Sequence, residues 1–428
     1  MASLRLLTRW QSRILLSFLL LYVFAIGYCH QAYYRDPGSF FFNPQWGYQP
    51  NYSLIRRQEA ESFIASYSTS ARPETNNDEN KDGRVMCIGI PTVMRPSEQY
   101  IDISVGSLLD SLTQKERDGI HMDVFFAHTD PTQHPSYSAP WVPYLVDTVL
   151  TYNTSDPEFP HLKQLEANRM FSEKGVFDYV YMLDSCYKTN ARYISIFEDD
   201  VLAQEGWYAR ALSGLRDLEK QGSRDENGSP NWLYMRLFYT EKFLGWNSEE
   251  WPTYLFWSIC VLLAPTIAAL FVRRKIPSLR NSLSNTFLSI IILIYLPACI
   301  VLYFMAGRVS MQPLHPGVNL MSNFGCCSQG LVFPREMVPR IMDRLVAMNA
   351  GPIDSLIEDW ADEEDLQRWA LTPSVVQHIG RKSAKAGPSA AKAKEKSELN
   401  DARGLWNFAF ELNDVNTVKG EHVDIIGH

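Results

Sequence analysis

The chain has no excess of basic charge. Its 48 acidic residues outnumber 40 basic ones, giving a formal charge of −8, so the positive face expected of a nucleic-acid binder is missing. Its 7 cysteines are too sparse in 428 residues for a disulfide scaffold, and none stands in a CxxC or Cys/His spacing suited to zinc. Glycine (23) and proline (24) are scattered without period. That excludes collagen-like repeats, and no coiled-coil or other internal repeat is present. With 46% hydrophobic and 21% charged residues the chain is not disordered and can bury one or two cores.

What is present is concentrated. A mean hydropathy of −0.19 averages polar stretches with three apolar runs. The first covers residues 14–29, preceded by Arg5, Arg9 and Arg13. Basic flanks stay in the cytosol, so the chain beyond this run is expected in the lumen. At about 1.5 Å per residue the run spans roughly 24 Å, which suits a thin early-secretory membrane. A cleaved signal peptide is the other reading, with Ala25-Ile26-Gly27 as the cleavage site. Residues 253–272 and 287–306 carry no charge, and each is long enough for a spanning helix. Pro265 and Pro297 interrupt them, which bilayer helices tolerate; a buried hairpin in a soluble core is the alternative. The loop 273–286 between them carries Arg273, Arg274, Lys275 and Arg280. It is therefore expected in the cytosol, with both outer flanks in the lumen. Trp251, Tyr254 and Trp257 suit an interfacial aromatic belt. Sequons at Asn51, Asn153 and Asn227 fall on the expected lumenal side.

These features divide the chain into a cytosolic tail (1–13), an anchor (14–29), a stem or linker (30–84), a first globular part (85–252), an apolar hairpin (253–306), a second globular part (307–380), and a basic, Ala-rich segment with a C-terminal tail (381–428). The two globular parts share one compartment and are long enough together for one domain. Residues 85–90 read as a buried strand ended by Pro91, and 121–128 as a second strand stopped by Asp130-Pro131. Residues 192–197, 232–238 and 331–333 read as further strands. Residues 100–112 have a helical rhythm, and Val176, Val180, Leu183 and Tyr187 place one apolar stripe on a second helix. The alternation of strand and helix predicts an α/β fold with a largely parallel sheet and ligands at the strands' carboxyl ends. Cys87, Cys186, Cys326 and Cys327 are expected in the lumen, where disulfides form; four thiols allow three pairings.

The sharpest chemical feature is the strand end Ile194-Ser195-Ile196-Phe197 running into Glu198-Asp199-Asp200. Three adjacent carboxylates repel and need compensation. A hard divalent cation, Mn²⁺ or Mg²⁺, provides it and also bridges phosphates. The alternative is a helix N-cap with acids favoured by the dipole.

Around this triplet the chain resembles the GT-A glycosyltransferases whose metal motif is written EDD. More narrowly it is similar to the GPI-glycan N-acetylgalactosamine transferases of GPI remodelling and to the N-acetylglucosaminyltransferase IV group that branches N-glycans. The resemblance is carried by Ile90-Pro91-Thr92-Val93-Met94-Arg95, by FEDDV, by Pro352-Ile353-Asp354, and by Pro373-Ser374-Val375-Val376-Gln377-His378-Ile379-Gly380. The hairpin separates the two, since the GPI-directed enzymes carry a tandem transmembrane pair inside the GT-A domain. The resemblance implies a GT-A-type mixed sheet with flanking helices, split by that hairpin, plus an N-terminal transmembrane helix. It also implies a multi-pass Golgi membrane enzyme with a lumenal catalytic domain. A UDP-sugar is the donor, GalNAc the sugar, and the GPI glycan or GPI-anchored proteins the acceptor; nucleic acid is not a partner. A hairpin of this kind would hold the site beside an acceptor that is itself lipid-anchored.

By the same resemblance Asp200 ligates the metal, and Glu198 and Asp199 hold ribose hydroxyls or metal-bound water. His378 completes the metal shell or touches the diphosphate, and Thr92 and Arg95 lie where the nucleotide binds. In an inverting transfer a carboxylate takes the acceptor hydroxyl's proton. Asp354 fits best, with Glu358, Asp359 and Glu241 as competitors, whereas Asp362-Glu363-Glu364-Asp365 reads as a solvated helical face. Residues 325–330 (GCCSQG) read as a substrate loop or a turn into a strand. Gly380-Arg381-Lys382-Ser383-Ala384 departs from the paired serines of the branching group, and the last 28 residues match nothing in either family. Two other readings stand beside this one: an N-glycan-branching transferase, and a non-enzymatic membrane adaptor whose acidic cluster binds cations.

Overall fold

A computed structural model describes residues 7–69, 84–96, 98–221, 228, 230–321, 327–380 and 404–427. Residues 70–83 at the end of the stretch read as stem, residues 381–400, Asn227, Gly325 and Cys326 lie outside the described residues. The chain forms two compact units: Met1–Gln49 with Glu241–Pro313, and Pro50–Thr240 with Leu314–His428.

The first unit holds three helices long and apolar enough to cross a membrane. The helix Arg9–Ala32 opens on a capping box made by Thr8 and Gln11. Its 24 residues correspond to roughly 36 Å, longer than the apolar run alone suggests, because polar residues at both ends continue the helix. Trp251–Lys275 contains Pro265 and ends on Arg273, Arg274 and Lys275. The third run, Asn285–Met305, includes a π-helical turn, Ile291–Tyr295, just before Pro297. A proline lacks an N–H and crowds the carbonyl four residues back, and the wider turn accommodates both. The first helix packs on the third: Tyr22 donates to the Ala298 carbonyl and Tyr295 to the Leu15 carbonyl, both at 2.9 Å. Buried Gln11 donates to the Ser282 carbonyl at 2.7 Å.

The second unit is built on an eight-stranded mixed sheet. Its strands are β1 (Met86–Thr92), β2 (Ile120–Phe126), β3 (Thr148–Leu150), β4 (Tyr193–Phe197), β6 (Trp232–Arg236), β7 (Gly317–Leu320), β8 (Gly330–Pro334) and β9 (Gln367–Thr372), in the order β3-β2-β1-β4-β8-β6-β9-β7. β5 (Val201–Ala203) and β10 (Val376–His378) form a separate antiparallel pair. The β3-β2-β1-β4 half is parallel, as the alternation predicts. β8, however, runs antiparallel between β4 and β6, and β7 antiparallel to β9. β6 and β9 pair parallel, so four of the seven strand pairs are parallel and the sheet is mixed. The returning chain enters β8 beside the carboxyl end of β4, where Gly330 faces Phe197. Strands from before and after the apolar pair interleave in this one sheet.

Pro91 does not end β1, which continues to Thr92. Pairing with β4 stops at Gly89, so Pro91 lies where β1 has only β2 as a neighbour and the missing N–H is tolerated. The helix Phe171–Lys188 buries Val176, Tyr179, Met182, Leu183 and Cys186. Val180 and Tyr187 are only half-buried, because a disulfide from Cys186 to Cys87 of β1 turns the Cys186 side to the sheet. Two apolar clusters fill the sheet's faces, one around Ile88, Val105 and Trp207, the other around Ile194, Leu331 and Trp360.

Part of the stretch read as stem belongs to this unit. The helix Tyr52–Thr69 buries Tyr52, Arg56, Ala60 and Ile64. It packs against the helix Ile101–Leu109, where a Cβ on Gly106 would come within 2.7 Å of the Ala60 carbonyl. Residues 404–427, unassigned from sequence, are also folded here and end in the helix Val415–Gly427.

Candidate active site

β4 delivers the acidic triplet at its carboxyl end, and the turn that follows passes directly into β5. Ser104, on the helix Ile101–Leu109, fixes this turn. Its hydroxyl lies 2.7 Å from the Asp199 carbonyl and accepts from the Val201 N–H at 3.1 Å. β10 pairs with β5, placing His378 opposite Val201, and the Ile379 N–H donates to the Asp200 carbonyl at 2.9 Å. His378 Nε2 thereby stands 3.4 Å from Asp200 Oδ2. Gly380 is confined to glycine, since a Cβ there would lie 2.0 Å from the same oxygen.

Asp199 and Asp200 are buried, at 6% and 4% exposure. Thr92 Oγ1 donates to Asp199 Oδ2 at 2.6 Å. The Arg95 guanidinium bridges the Asp199 and Asp200 carboxylates and lies over the Tyr100 ring. Glu198 also reaches the returning chain: Ser328 Oγ donates to it at 2.6 Å and Gln329 Nε2 at 3.1 Å. Thr92, Arg95, Glu198, Asp199, Asp200 and His378 therefore converge from both halves of the chain.

The electrostatics follow from burial and pairing. Burial would raise Asp200, but the His378 ring and the Arg95 guanidinium outweigh it and draw the carboxyl down to about 2. Burial and the neighbouring Asp200 charge raise Asp199 despite Arg95. Burial would lower His378, but the Asp200 and Glu198 charges reverse this and raise it.

The residues fit a hard cation. One atom each from Glu198, Asp200 and His378 lies within 4.8 Å of the others. Asp200 Oδ1 and His378 Nδ1 are buried without a hydrogen-bond partner among the described residues. Two carboxylate oxygens and an imidazole form a donor set suited to Mn²⁺.

Asp354 lies in the first turn of the helix Ile353–Glu363, and its Oδ2 accepts from the Cys327 N–H at 3.4 Å. It is thus bound to the same re-entering segment as Glu198. Its competitors are placed differently. Glu358 is buried among Tyr234, Arg236 and Arg368, where it has a structural charge network. Asp359 is exposed, and Glu241 belongs to the other compact unit. Residues 362–365 are exposed as expected, with Asp362, Glu363 and Glu364 paired to Arg368, Arg344 and Arg340.

Two site residues escaped the sequence reading. His134 Nδ1 accepts from the Ser136 N–H at 3.2 Å, which leaves the proton on Nε2, 3.2 Å from Thr92 Oγ1. Burial and the nearby His128 lower His134 to about 4, so the ring is neutral and orients the Thr92 hydroxyl toward Asp199. Tyr179 is buried with its hydroxyl unpartnered among the described residues. Burial, with the Glu198 and Asp354 charges, holds that hydroxyl protonated. Neither residue carries a local signal: one is a lone histidine in a turn, the other an aromatic on a helix.

No curated protein matches the chain. The sequence model of one family, described as GPI-N-acetylgalactosamine transferase PGAP4, matches residues 86–377, more than half of the chain and including the paired apolar helices. With the converging triplet and the interleaved halves, that match places the chain: it belongs to the GPI-N-acetylgalactosamine transferase family.

Proposed function

We propose that the protein transfers a sugar, N-acetylgalactosamine, from a UDP donor to the mannose core of GPI anchors, with inversion at the transferred carbon and with Mn²⁺ or Mg²⁺ bound at the acidic triplet. The observation that carries this reading is the meeting of Glu198, Asp200 and His378 within 4.8 Å in a chain of this family. A cation there supplies positive charge to the leaving diphosphate.

The protein's own groups do the rest. Asp200 and His378 hold the ion, with Glu198 beside them. Arg95, fixed by Asp199, adds a guanidinium on the phosphate side. Thr92, oriented by His134, keeps Asp199 in register. Asp354 is the carboxylate that takes the acceptor hydroxyl's proton, a role worth about 10²–10⁴-fold in rate. The basic loop between the second and third apolar helices supports a multi-pass placement in the Golgi membrane with the sheet unit in the lumen. There the site meets acceptors held at the same surface.

A donor screen of the detergent-solubilised full chain tests this, with EDTA and Mn²⁺ arms and a GPI-glycan fragment as acceptor. Transfer from UDP-GalNAc that EDTA stops and Mn²⁺ restores is expected. Transfer to N-glycan antennae alone would move the protein to the branching chemistry. Absence of both hydrolysis and transfer from every UDP-sugar would leave only a cation-binding adaptor.

A further inference from the structure

We infer that the C-terminal segment 404–427 is a working part of the site: Asn407 and Glu411, acting through Gln377, set the backbone of β10 and hence the direction in which His378 faces Asp200. The inference rests on the metal-site reading above and adds positioning residues to it.

Adjacent residues of a strand point to opposite faces. In β10, His378 turns toward Asp200 and Gln377 turns away, into a fully buried position. Every hydrogen-bonding capacity of the Gln377 amide is used. Nε2 donates to the Asn407 carbonyl at 2.9 Å and to Glu411 Oε1 at 2.8 Å. Oε1 accepts from the Asn407 N–H at 2.9 Å and from the His378 N–H at 3.2 Å. The orientation of the amide is unambiguous, since a carboxylate faces one end and an N–H the other. β10 is thus held on one side by β5 and on the other by a side chain bonded to residues 407 and 411.

Those two residues are themselves anchored. Asn407 Nδ2 donates to the Tyr239 carbonyl at 2.7 Å and its Oδ1 accepts from the Phe410 N–H at 2.7 Å. Glu411 is buried at 3% exposure. Its Oε2 accepts from the Asn51 N–H at 2.8 Å and the Ser53 N–H at 3.2 Å, at the start of the helix Tyr52–Thr69. A buried carboxylate is tolerated here because a helix N-terminus and an amide compensate it.

A tail that only covered apolar surface would need no such network. Phe410, packed on Tyr52 and Leu202, already supplies the cover. A fully bonded buried amide and a buried carboxylate fix one geometry, and that geometry ends at the neighbour of His378. The family match stops at residue 377, so this segment lies beyond the matched span.

The test uses the full chain in detergent and Mn²⁺ alone as probe, read by calorimetric titration and by the Mn²⁺-induced rise in thermal midpoint. The Mn²⁺ half-saturation of transfer is a third readout. The variants are Gln377→Ala and Glu411→Gln, with Lys419→Ala as a control, because Lys419 is exposed on the same segment. Groups that orient metal ligands typically change affinity about 10–100-fold when removed. Both clamp variants should therefore need about tenfold more Mn²⁺ in all readouts, and Lys419→Ala no more than the parent. If Gln377→Ala does not fold, Glu411→Gln, which keeps the shape, decides. Folded clamp variants that bind Mn²⁺ within about twofold of the parent, while Asp200→Ala loses it, overturn the inference and leave the site reading intact. A parent that binds no Mn²⁺, or an Asp200→Ala variant that binds like the parent, overturns the site reading and this inference with it.

Discussion

His378 Nε2 stands 3.4 Å from Asp200 Oδ2, although the whole pair of apolar helices lies between the two residues in sequence. The contact is made by the β5–β10 pair rather than by the large sheet. It therefore depends on the short segment that brings the chain back to the triplet.

Asp200→Ala should abolish transfer with the fold retained, as judged by an unchanged elution profile and far-UV spectrum. His378→Ala should leave residual transfer and raise the Mn²⁺ requirement by about tenfold or more. Equal Mn²⁺ titrations for His378→Ala and the parent would remove His378 from the site.

Gly380→Ala adds one methyl group 2.0 Å from Asp200 Oδ2. Something must move, and what moves is a group proposed to hold the cation. A displacement of this size costs up to about 10²-fold in rate. Comparing transfer with the thermal midpoint separates this local effect from unfolding.

His134 supplies a pH test. Its folded-state pKa is lowered from 6.5 to about 4, so the folded protein resists protonation more than the unfolded chain does. Its stabilising contribution is complete above about pH 6.5 and is lost as pH falls toward 4. His134→Gln should flatten the thermal midpoint over this interval relative to the parent. Parallel pH curves for both proteins would contradict the assignment.

Tyr179→Phe removes a buried hydroxyl that has no partner among the described residues. Loss of an unsatisfied donor does not destabilise, so the thermal midpoint should hold or rise. Transfer should fall by about tenfold or more, because the hydroxyl lies within electrostatic reach of Glu198 and Asp354. Unchanged transfer would make Tyr179 a packing residue only.

Replacing Cys87 and Cys186 together by alanine opens a link across 99 residues. A native disulfide closing a loop of that length contributes about 2–5 kcal/mol, so a marked drop in thermal midpoint is expected. The parent treated with reductant should show at least this drop.

Local signals in the chain account for much of this architecture. Apolar runs ending in turn residues located β1, β2, β4, β6 and β8, because a buried strand is written in consecutive residues. The triplet stood out because three carboxylates following an apolar strand are chemically conspicuous. The place of β8 between β4 and β6 was not legible, since pairing is non-local and no pattern within Gly330–Pro334 names its neighbours. Pro91 was misjudged as a terminator for the same reason: its tolerance depends on which strand lies beside it. His134 and Gln377 act through partners distant in sequence. The segment from Trp406 to Phe410 hid its fold, since a few aromatic residues after a Lys/Ala stretch resemble a tail, yet three of them are buried.

The central place of β8 has a consequence for biosynthesis. Until the ribosome has made both apolar helices and the residues beyond them, β4 and β6 each lack the neighbour that separates them, and their edges stay open. The nascent first half must wait, unfinished and prone to aggregate, for a strand encoded much later. Maturation should therefore depend on chaperones and on how soon the residues beyond the apolar helices are made.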